Sequence, residues 1–260
     1  MKTSTTRRLS LAIGLIAAAG LLTGCAQAPA AQPTSWGYGA DNGPEVWGSL
    51  NKDYALCVDG TAQSPIDIVN TVDLDLVNIE LNYTLSQMHE FDNGHTIEAE
   101  VEESSKNIIT VDGEEYSLVQ LHFHAPSEHQ IDGQTYPLEV HFVHESADGK
   151  LAVIGVFAQE GTENSAWKPF TDSIHTADNA KAGAQVSLNP AELLPAVHTT
   201  YRYDGSLTTP NCGEGVKWNV MSNPITMSAD QLAQFTSAYD GNNRPVQPVN
   251  GREIELDTTP

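Results

Sequence analysis

Basic side chains are scarce in this 260-residue chain: 12 Lys and Arg stand against 34 Asp and Glu, a formal charge of −22. A surface of that sign repels phosphate backbones, which excludes nucleic acid as a partner. It suits a soluble protein in a salty medium, where screening weakens self-repulsion, and it carries no information about fold. Long apolar runs are missing apart from residues 9–22, so a polytopic membrane protein is excluded. Cysteine occurs at only three positions, Cys25, Cys57 and Cys212. No internal repeat and no second linker breaks the chain after residue 35. Enough apolar material remains for a core: 40% of residues are hydrophobic and aromatics are spread along the length. That excludes disorder of the whole chain and fits one large domain or two small ones.

The amino terminus reads as an address. Residues 1–8 (MKTSTTRR) are short and basic, residues 9–22 (LSLAIGLIAAAGLL) are apolar, and Leu22-Thr23-Gly24-Cys25 follows. The order of charge, apolar run and small residues is that of a secretory signal peptide, and the apolar run is short for a membrane span. A small-residue cleavage site ending in Cys resembles the bacterial lipoprotein signal, in which the cysteine becomes the lipidated first residue. An ordinary signal peptide with a chance cysteine is the alternative. Residues 1–24 are therefore expected to be a signal peptide, Cys25 the lipidation site, and residues 25–35 a flexible tether rich in Ala, Pro and Gln. Loss of Lys2, Arg7 and Arg8 would take the formal charge from −22 to −25. With Cys25 acylated, Cys57 and Cys212 remain as an even pair in an oxidising setting, and a disulfide between them is expected. Chain entropy gives such a bridge about 4–5 kcal/mol at most. Two separate buried thiols are the alternative.

Residues 36–257 read as one domain, mainly β. Alternating or β-branched runs occur at 79–85, 95–101, 107–111, 116–124, 138–144, 151–158 and 215–221. Turn pairs such as Asp112-Gly113, Asp132-Gly133 and Asp148-Gly149 separate several of them. This pattern predicts a largely antiparallel sheet. Two helices are predicted: 163–175, with Trp167, Phe170 and Ile174 on one face, and 229–239, opened by a capping box of Ser228 and Gln231.

Chemistry concentrates in Gln120-Leu121-His122-Phe123-His124 and Leu138-Glu139-Val140-His141-Phe142-Val143-His144. Side chains alternate faces along a strand, so Gln120, His122 and His124 share one face, and Glu139, His141 and Val143 share another. If the two runs pair as antiparallel neighbours, three imidazoles converge. Three neutral nitrogens leave a tetrahedral Zn²⁺ one open position, which is the catalytic pattern; structural zinc sites are closed. Glu139 and Gln120 could then accept the free ring N–H of their histidine neighbours and fix the tautomers. A His-x-His pair alone is a weak signal, more often chance or a hydrogen-bonded core pair than a metal site. His129 and His144 read as satisfied core groups; His89, His175 and His198 read as surface. A loop, Ser206-Leu207-Thr208-Thr209-Pro210-Asn211-Cys212, carries a Thr hydroxyl able to donate to one group and accept from another.

Together these segments resemble the α-class carbonic anhydrases. The resemblance starts at Trp36-Gly37-Tyr38 and Asn42-Gly43-Pro44-Glu45. It takes in Gln63-Ser64-Pro65-Ile66, Asn93-Gly94-His95, the two histidine runs, Ser127-Glu128-His129 and Leu151-Ala152-Val153. It closes with Ser206-Leu207-Thr208-Thr209-Pro210, Val216-Lys217-Trp218 and Arg244-Pro245-Val246-Gln247-Pro248. The motifs follow the family order over nearly all of residues 36–254.

The resemblance implies a single domain built on a central twisted, largely antiparallel sheet of about ten strands with a few short helices. It implies reversible hydration of CO₂ to bicarbonate and a proton by zinc-bound hydroxide, with one Zn²⁺ per chain. His122, His124 and His141 would hold the metal, with Gln120 and Glu139 behind them. Thr208 would accept from the hydroxide and donate to Glu128. Val143, Val153, Leu207 and Trp218 would form the apolar wall for CO₂, and Thr209 would lie near bicarbonate. His95 would shuttle protons, and Tyr38 would order the cleft waters. Cys57 and Cys212 match the disulfide of exported members. The only membrane association expected is the lipid at Cys25, and related bacterial members are often homodimers. Two rival readings are a catalytically silent binding module and a zinc-binding lipoprotein. One departure stands out: where the family commonly has a second Pro after Thr208-Thr209-Pro210, this chain has Asn211, which puts the rigidity of that loop in question.

Overall fold

The computed structural model describes residues 35–102, 104–174 and 183–258. The expected signal peptide, Cys25, nearly all of the tether and His175 lie outside them. Along the chain the strands begin with β1 (Asp67–Ile68), β2 (Val72–Leu74), β3 (Glu80–Asn82), β4 (Ser86–Asp92) and β5 (Ile97–Val101). The middle of the chain holds β6 (Ile108–Val111), β7 (Glu114–His124), β8 (Gln130–Ile131), β9 (Leu138–Ser146) and β10 (Leu151–Glu160). The last are β11 (Ala184–Leu188), β12 (Thr200–Ser206), β13 (Glu214–Met221), β14 (Ile225–Met227) and β15 (Glu255–Asp257). Helices are few and short: α1 (Trp47–Leu50), α2 (Leu56–Asp59), α3 (Lys168–Thr171) and α4 (Ala229–Ala238).

Among the described residues one 13-stranded sheet dominates, with ten strands in the order β11-β4-β5-β7-β9-β10-β13-β12-β15-β2; β14 joins at β10, β6 at β7, and β3 at β6. Most pairs are antiparallel; β10 with β13, β10 with β14, and β15 with β2 are parallel. The mainly β, largely antiparallel expectation therefore holds, and the sheet is mixed.

The helix predicted over 163–175 is broken up. A 3₁₀ turn, Ser165–Trp167, runs into the single turn of α3, with Pro169 in its first positions. Trp167, Phe170 and Ile174 are still buried together. The α4 helix opens with both halves of the Ser228–Gln231 capping box in place. It packs Phe235 against Phe123 at 4.7 Å between ring centroids. Burying such a side chain is worth about 1.5–3 kcal/mol.

A β-bulge decides which way the site faces. On β7, Tyr116, Leu118, Leu121 and Phe123 all enter the core beneath α4. The step from 118 to 121 is odd, which unbroken alternation forbids. The register against β9 shifts between Leu118 and Gln120, leaving Val119 as the extra residue. After the shift Gln120, His122 and His124 lie on the face opposite the core, against Val143, His141 and Glu139 of β9. Without the inserted residue those histidines would follow Tyr116 and Leu118 into the core.

Candidate metal centre

The rings of His122, His124 and His141 form a tight triangle, with centroid separations of 5.0, 5.2 and 4.7 Å. One ligand atom from each lies within 4.8 Å of the others. The hydrogen bonds select those atoms. His122 Nδ1–H donates to Gln120 Oε1 at 2.8 Å, and His124 Nδ1–H donates to the Asn242 carbonyl at 2.6 Å. His141 Nε2–H donates to Glu139 Oε1 at 2.9 Å. That leaves lone pairs on His122 Nε2, His124 Nε2 and His141 Nδ1. Burial first, then repulsion from the neighbouring imidazoles, holds His122 well below the usual histidine range and brings His124 down to about 3. Burial also lowers His141, against the pull of Glu139. All three are neutral, the form a metal requires.

Two buried atoms here lack a hydrogen-bond partner: His124 Nε2 and Glu128 Oε2, which lie 3.4 Å apart. An unsatisfied buried group typically costs about 1–3 kcal/mol. A divalent cation taking the imidazole lone pair beside that carboxylate removes the deficit, so this donor set fits zinc.

Glu139 is saturated by four donors. Its Oε2 accepts from the N–H groups of Glu128 (2.9 Å) and His129 (2.8 Å), and its Oε1 accepts from His129 Nδ1 (2.7 Å) and His141. Burial would raise its pKa, but His129 and His141 outweigh that and hold it well below the carboxylate range. His129 passes the chain on, accepting at Nε2 from the Tyr203 hydroxyl at 2.6 Å; Tyr203 in turn bonds Ser64 Oγ at 2.8 Å. The cluster of His129, Glu139 and His141 is therefore a hydrogen-bond network whose one free ring lone pair, on His141 Nδ1, belongs to the histidine triangle.

Glu128 is buried, and burial pushes its carboxyl up strongly. The backbone N–H of Arg244, at 2.8 Å from Oε1, opposes this, and so, less strongly, does the Thr208 hydroxyl. Arg244 is itself buried, its guanidinium spent on Gln63 Oε1 and the carbonyls of Ser64 and Cys57. Gln63 also donates to the Cys212 carbonyl. Cys57 and Cys212 are disulfide-bonded. The loop after β12 is thus tied down four residues beyond Thr208. Its peptide Pro210–Asn211 is cis although residue 211 is not proline. Leu207 N–H to Gly213 O (2.9 Å), Cys212 N–H to Thr209 O (2.8 Å) and Gly213 N–H to Asn211 Oδ1 (3.2 Å) close the turn. The Asn211 side chain supplies a hydrogen bond that a proline could not.

Val153 and Trp218 are buried in one apolar cluster, with the partly buried Val143 and Leu207 packed on it. Register explains this: Val143 pairs Val153, and Val153 pairs Trp218. The Trp218 ring lies 4.8 Å from that of His141. A cleft of about 100 Å³ is lined by His122, His124, Gln120, Thr209, Tyr38 and His95, among others. The His95 ring is stacked on Trp36 at 3.6 Å and 9°. A larger cavity of about 320 Å³ sits by β12 and β13. Its bases Arg202, Lys217 and Arg252 are spent on Asp257, Asp112 and backbone carbonyls, so size does not locate the chemistry. His144, read as core, is buried and bonds the Tyr83 hydroxyl at 2.7 Å; His89 and His198 are partly exposed.

The family model for eukaryotic-type carbonic anhydrase matches residues 42–258. A carbonic anhydrase of Pectobacterium atrosepticum is 40% identical over 239 residues, covering 90% of this chain and 96% of that protein. One of Neisseria gonorrhoeae is 41% identical over 226 residues, 85% of this chain and 87% of that protein. The solved α-carbonic anhydrase of Thermovibrio ammonificans, in complex with the inhibitor sulfanilamide, superposes with a TM-score of 0.80 at 39% identity, over 85% of this chain and 98% of that one. Relatedness running the length of the domain, joined to three neutral imidazoles aimed at one point, makes this chain a member of the α-class carbonic anhydrases, one-zinc enzymes that interconvert CO₂ and bicarbonate.

Proposed function

We propose that residues 36–257 form the catalytic domain of an exported α-carbonic anhydrase in which His122 and His124 hold zinc through Nε2 and His141 through Nδ1. The orphaned, buried Nε2 of His124 carries this reading. Zinc, when bound, supplies a nucleophile at neutral pH by lowering the pKa of its water to about 7, a value known for carbonic anhydrases rather than derived from this structure. Gln120, Glu139 and the Asn242 carbonyl hold the three imidazoles in the ligating tautomers. The Thr208 hydroxyl commits its proton to Glu128, so toward the reacting centre it can only accept. That acceptance turns the nucleophile's lone pair toward CO₂. CO₂ is small and uncharged, so an apolar wall of Val143, Val153, Leu207 and Trp218 suits it better than a cationic cradle. Thr209, which lines the cleft, bonds the bicarbonate product in this reading. His95 carries the proton from the cleft to bulk water, as an imidazole can near neutrality, and Tyr38 helps order the water between.

Zinc content measured beside CO₂ hydration tests the whole. About one zinc per chain is expected, with activity abolished by a sulfonamide whose anion takes the open metal position. Full zinc with no hydration would make the protein a silent binding module instead.

Export rests on two supports: the basic, apolar, small-residue order of residues 1–24 and the Cys57–Cys212 disulfide, a bond typical of oxidising compartments. No helix among the described residues is long and apolar enough to cross a membrane. The anchor in this reading is a lipid on Cys25, for which the Leu22-Thr23-Gly24-Cys25 order is the support, with a homodimer allowed by the family likeness. The intact mass of the amino-terminal peptide is expected to start at an acylated Cys25. A peptide cleaved elsewhere, with a free thiol at Cys25, would overturn the anchor.

A further inference from the structure

His95 stands on the tight turn between β4 and β5, and two side chains build that turn. Asn93 Oδ1 accepts the N–H groups of His95 and Thr96, both at 2.9 Å. Asp92 Oδ1 accepts the N–H of Gly94 at 2.7 Å and also the hydroxyl of Tyr239. Gly94 has φ of 88°, a conformation that needs glycine. Tyr239 is the residue that ends α4, and its ring meets Phe123 edge-on at 6.4 Å. Phe123 lies between His122 and His124 on β7 and faces the other way. One carboxylate thus joins the end of the core helix to the turn that presents His95.

We propose that Asp92, clamped by Tyr239, is a positioning residue for His95, setting both the orientation of its turn and the charge its imidazole meets. This rests on the reading of His95 as the proton carrier. Burial lowers the His95 pKa, and Asp92 opposes that fall. The ionisable groups that face His95 are Asp92, with Tyr239 from α4 bonded to it, and those lining the same cleft: Glu98 on its own hairpin, Tyr38 from the amino-terminal stretch, and His122 and His124 on β7. The histidines are neutral ligands, and both tyrosines are pushed upward by burial and so stay neutral. Glu98 is raised by burial and tied to Asn93 Nδ2 at 2.9 Å. Asp92 is the carboxylate whose charge opposes the fall at His95, and a weaker base at that position takes up the proton of each turnover less readily.

The test is Asp92→Asn in the zinc-loaded enzyme. Asparagine keeps an acceptor for the Gly94 N–H and removes the charge. NMR titration of the His95 ring should show its pKa moving down. In weak buffer kcat for hydration should fall about three- to tenfold, a fraction of what a positioned proton-transfer group contributes. kcat/KM should change little, because His95 does not touch CO₂, and added imidazole should restore kcat. In a His95→Ala background Asp92→Asn should have no further effect. An unmoved His95 titration overturns the proposal, as does a loss that also appears in kcat/KM and resists imidazole, which would mark a merely structural role. If His95→Ala alone turns over at full rate without buffer, the proton-carrier reading fails; the His95 titration then still reports whether Asp92 acts on that ring.

Discussion

Replacing His141 with alanine is expected to remove zinc and activity together. His141 differs from the other two ligands in how it is held. His122 leans on a neutral amide and His124 on a backbone carbonyl, whereas His141 leans on the ionised Glu139, itself fixed by three other N–H groups. Its orientation is the most firmly set of the three, and His122 sits directly across from it on β7. With two imidazoles left, a tetrahedral site has lost the third of the protein ligands that catalytic zinc uses. Zinc per chain should fall from about one to near zero after gel filtration, and CO₂ hydration to the uncatalysed rate. The fold should survive, because Glu139 keeps three of its four donors; losing one buried hydrogen bond typically costs about 1–3 kcal/mol. Circular dichroism would verify that. Glu139→Gln should do less, weakening the metal about 10- to 100-fold, as is usual for a group behind a ligand. A His141→Ala protein that keeps stoichiometric zinc and hydrates CO₂ would remove His141 from the metal site.

Thr208→Ala should give the opposite split: zinc retained, turnover lost. Thr208 is buried, its hydroxyl faces Glu128, and it is not one of the three imidazole ligands, so the dissociation constant for zinc should stay within a few fold. What disappears is an acceptor whose own proton is committed elsewhere. The expected loss in kcat is about 10²-fold, the low end of what removing one preorganised hydrogen-bonding group costs. Thr208→Ser restores the hydroxyl and should recover most of it. Equal losses in zinc and in turnover would mean that Thr208 supports the metal rather than the nucleophile. Glu128→Gln gives a cross-check, because it keeps the size of the side chain and changes which partner must donate. It should resemble Thr208→Ala in turnover if the hydroxyl acts through that carboxylate.

Where local patterning was strong, the sequence could be read directly. The alternation in 120–124 and 138–144 places His122 with His124 and His141 with Glu139, because a period of two is a property of any unbulged strand. The capping box of Ser228 and Gln231 likewise needs only neighbours in sequence. Where a strand's inward positions are not apolar, the pattern fades. β4 turns Ser86, Met88 and Glu90 inward, and Glu90 is fully buried. Burial pushes its carboxyl up to about 7, against a hydrogen bond from Ser173 Oγ. No reading by hydrophobic alternation finds such a strand, and β12, which buries Thr200 and Arg202, is hidden in the same way. The predicted 163–175 helix failed for another reason: its apolar spacing was sound, but Pro169 at the start of α3 and a 3₁₀ entry leave only one α-turn.

Sequence alone pointed to the histidine candidates, their shared strand faces and the family, since each is written in contiguous residues or short motifs; the Cys57–Cys212 pairing, left open against two free thiols, was decided by the structure. Tertiary structure decided which way the histidines point, through the extra residue Val119 on β7, and which groups hold them. The carbonyl that fixes His124 comes from Asn242, 118 positions away, and the N–H that steadies Glu128 comes from Arg244, 116 positions away. Tyr203 reaches His129 across 74 positions. A backbone carbonyl or amide carries no side-chain signature, so nothing in the order of residues announces it. Only the closing of the sheet and the chain after α4 brings such groups within 3 Å of the histidines and carboxylate they serve.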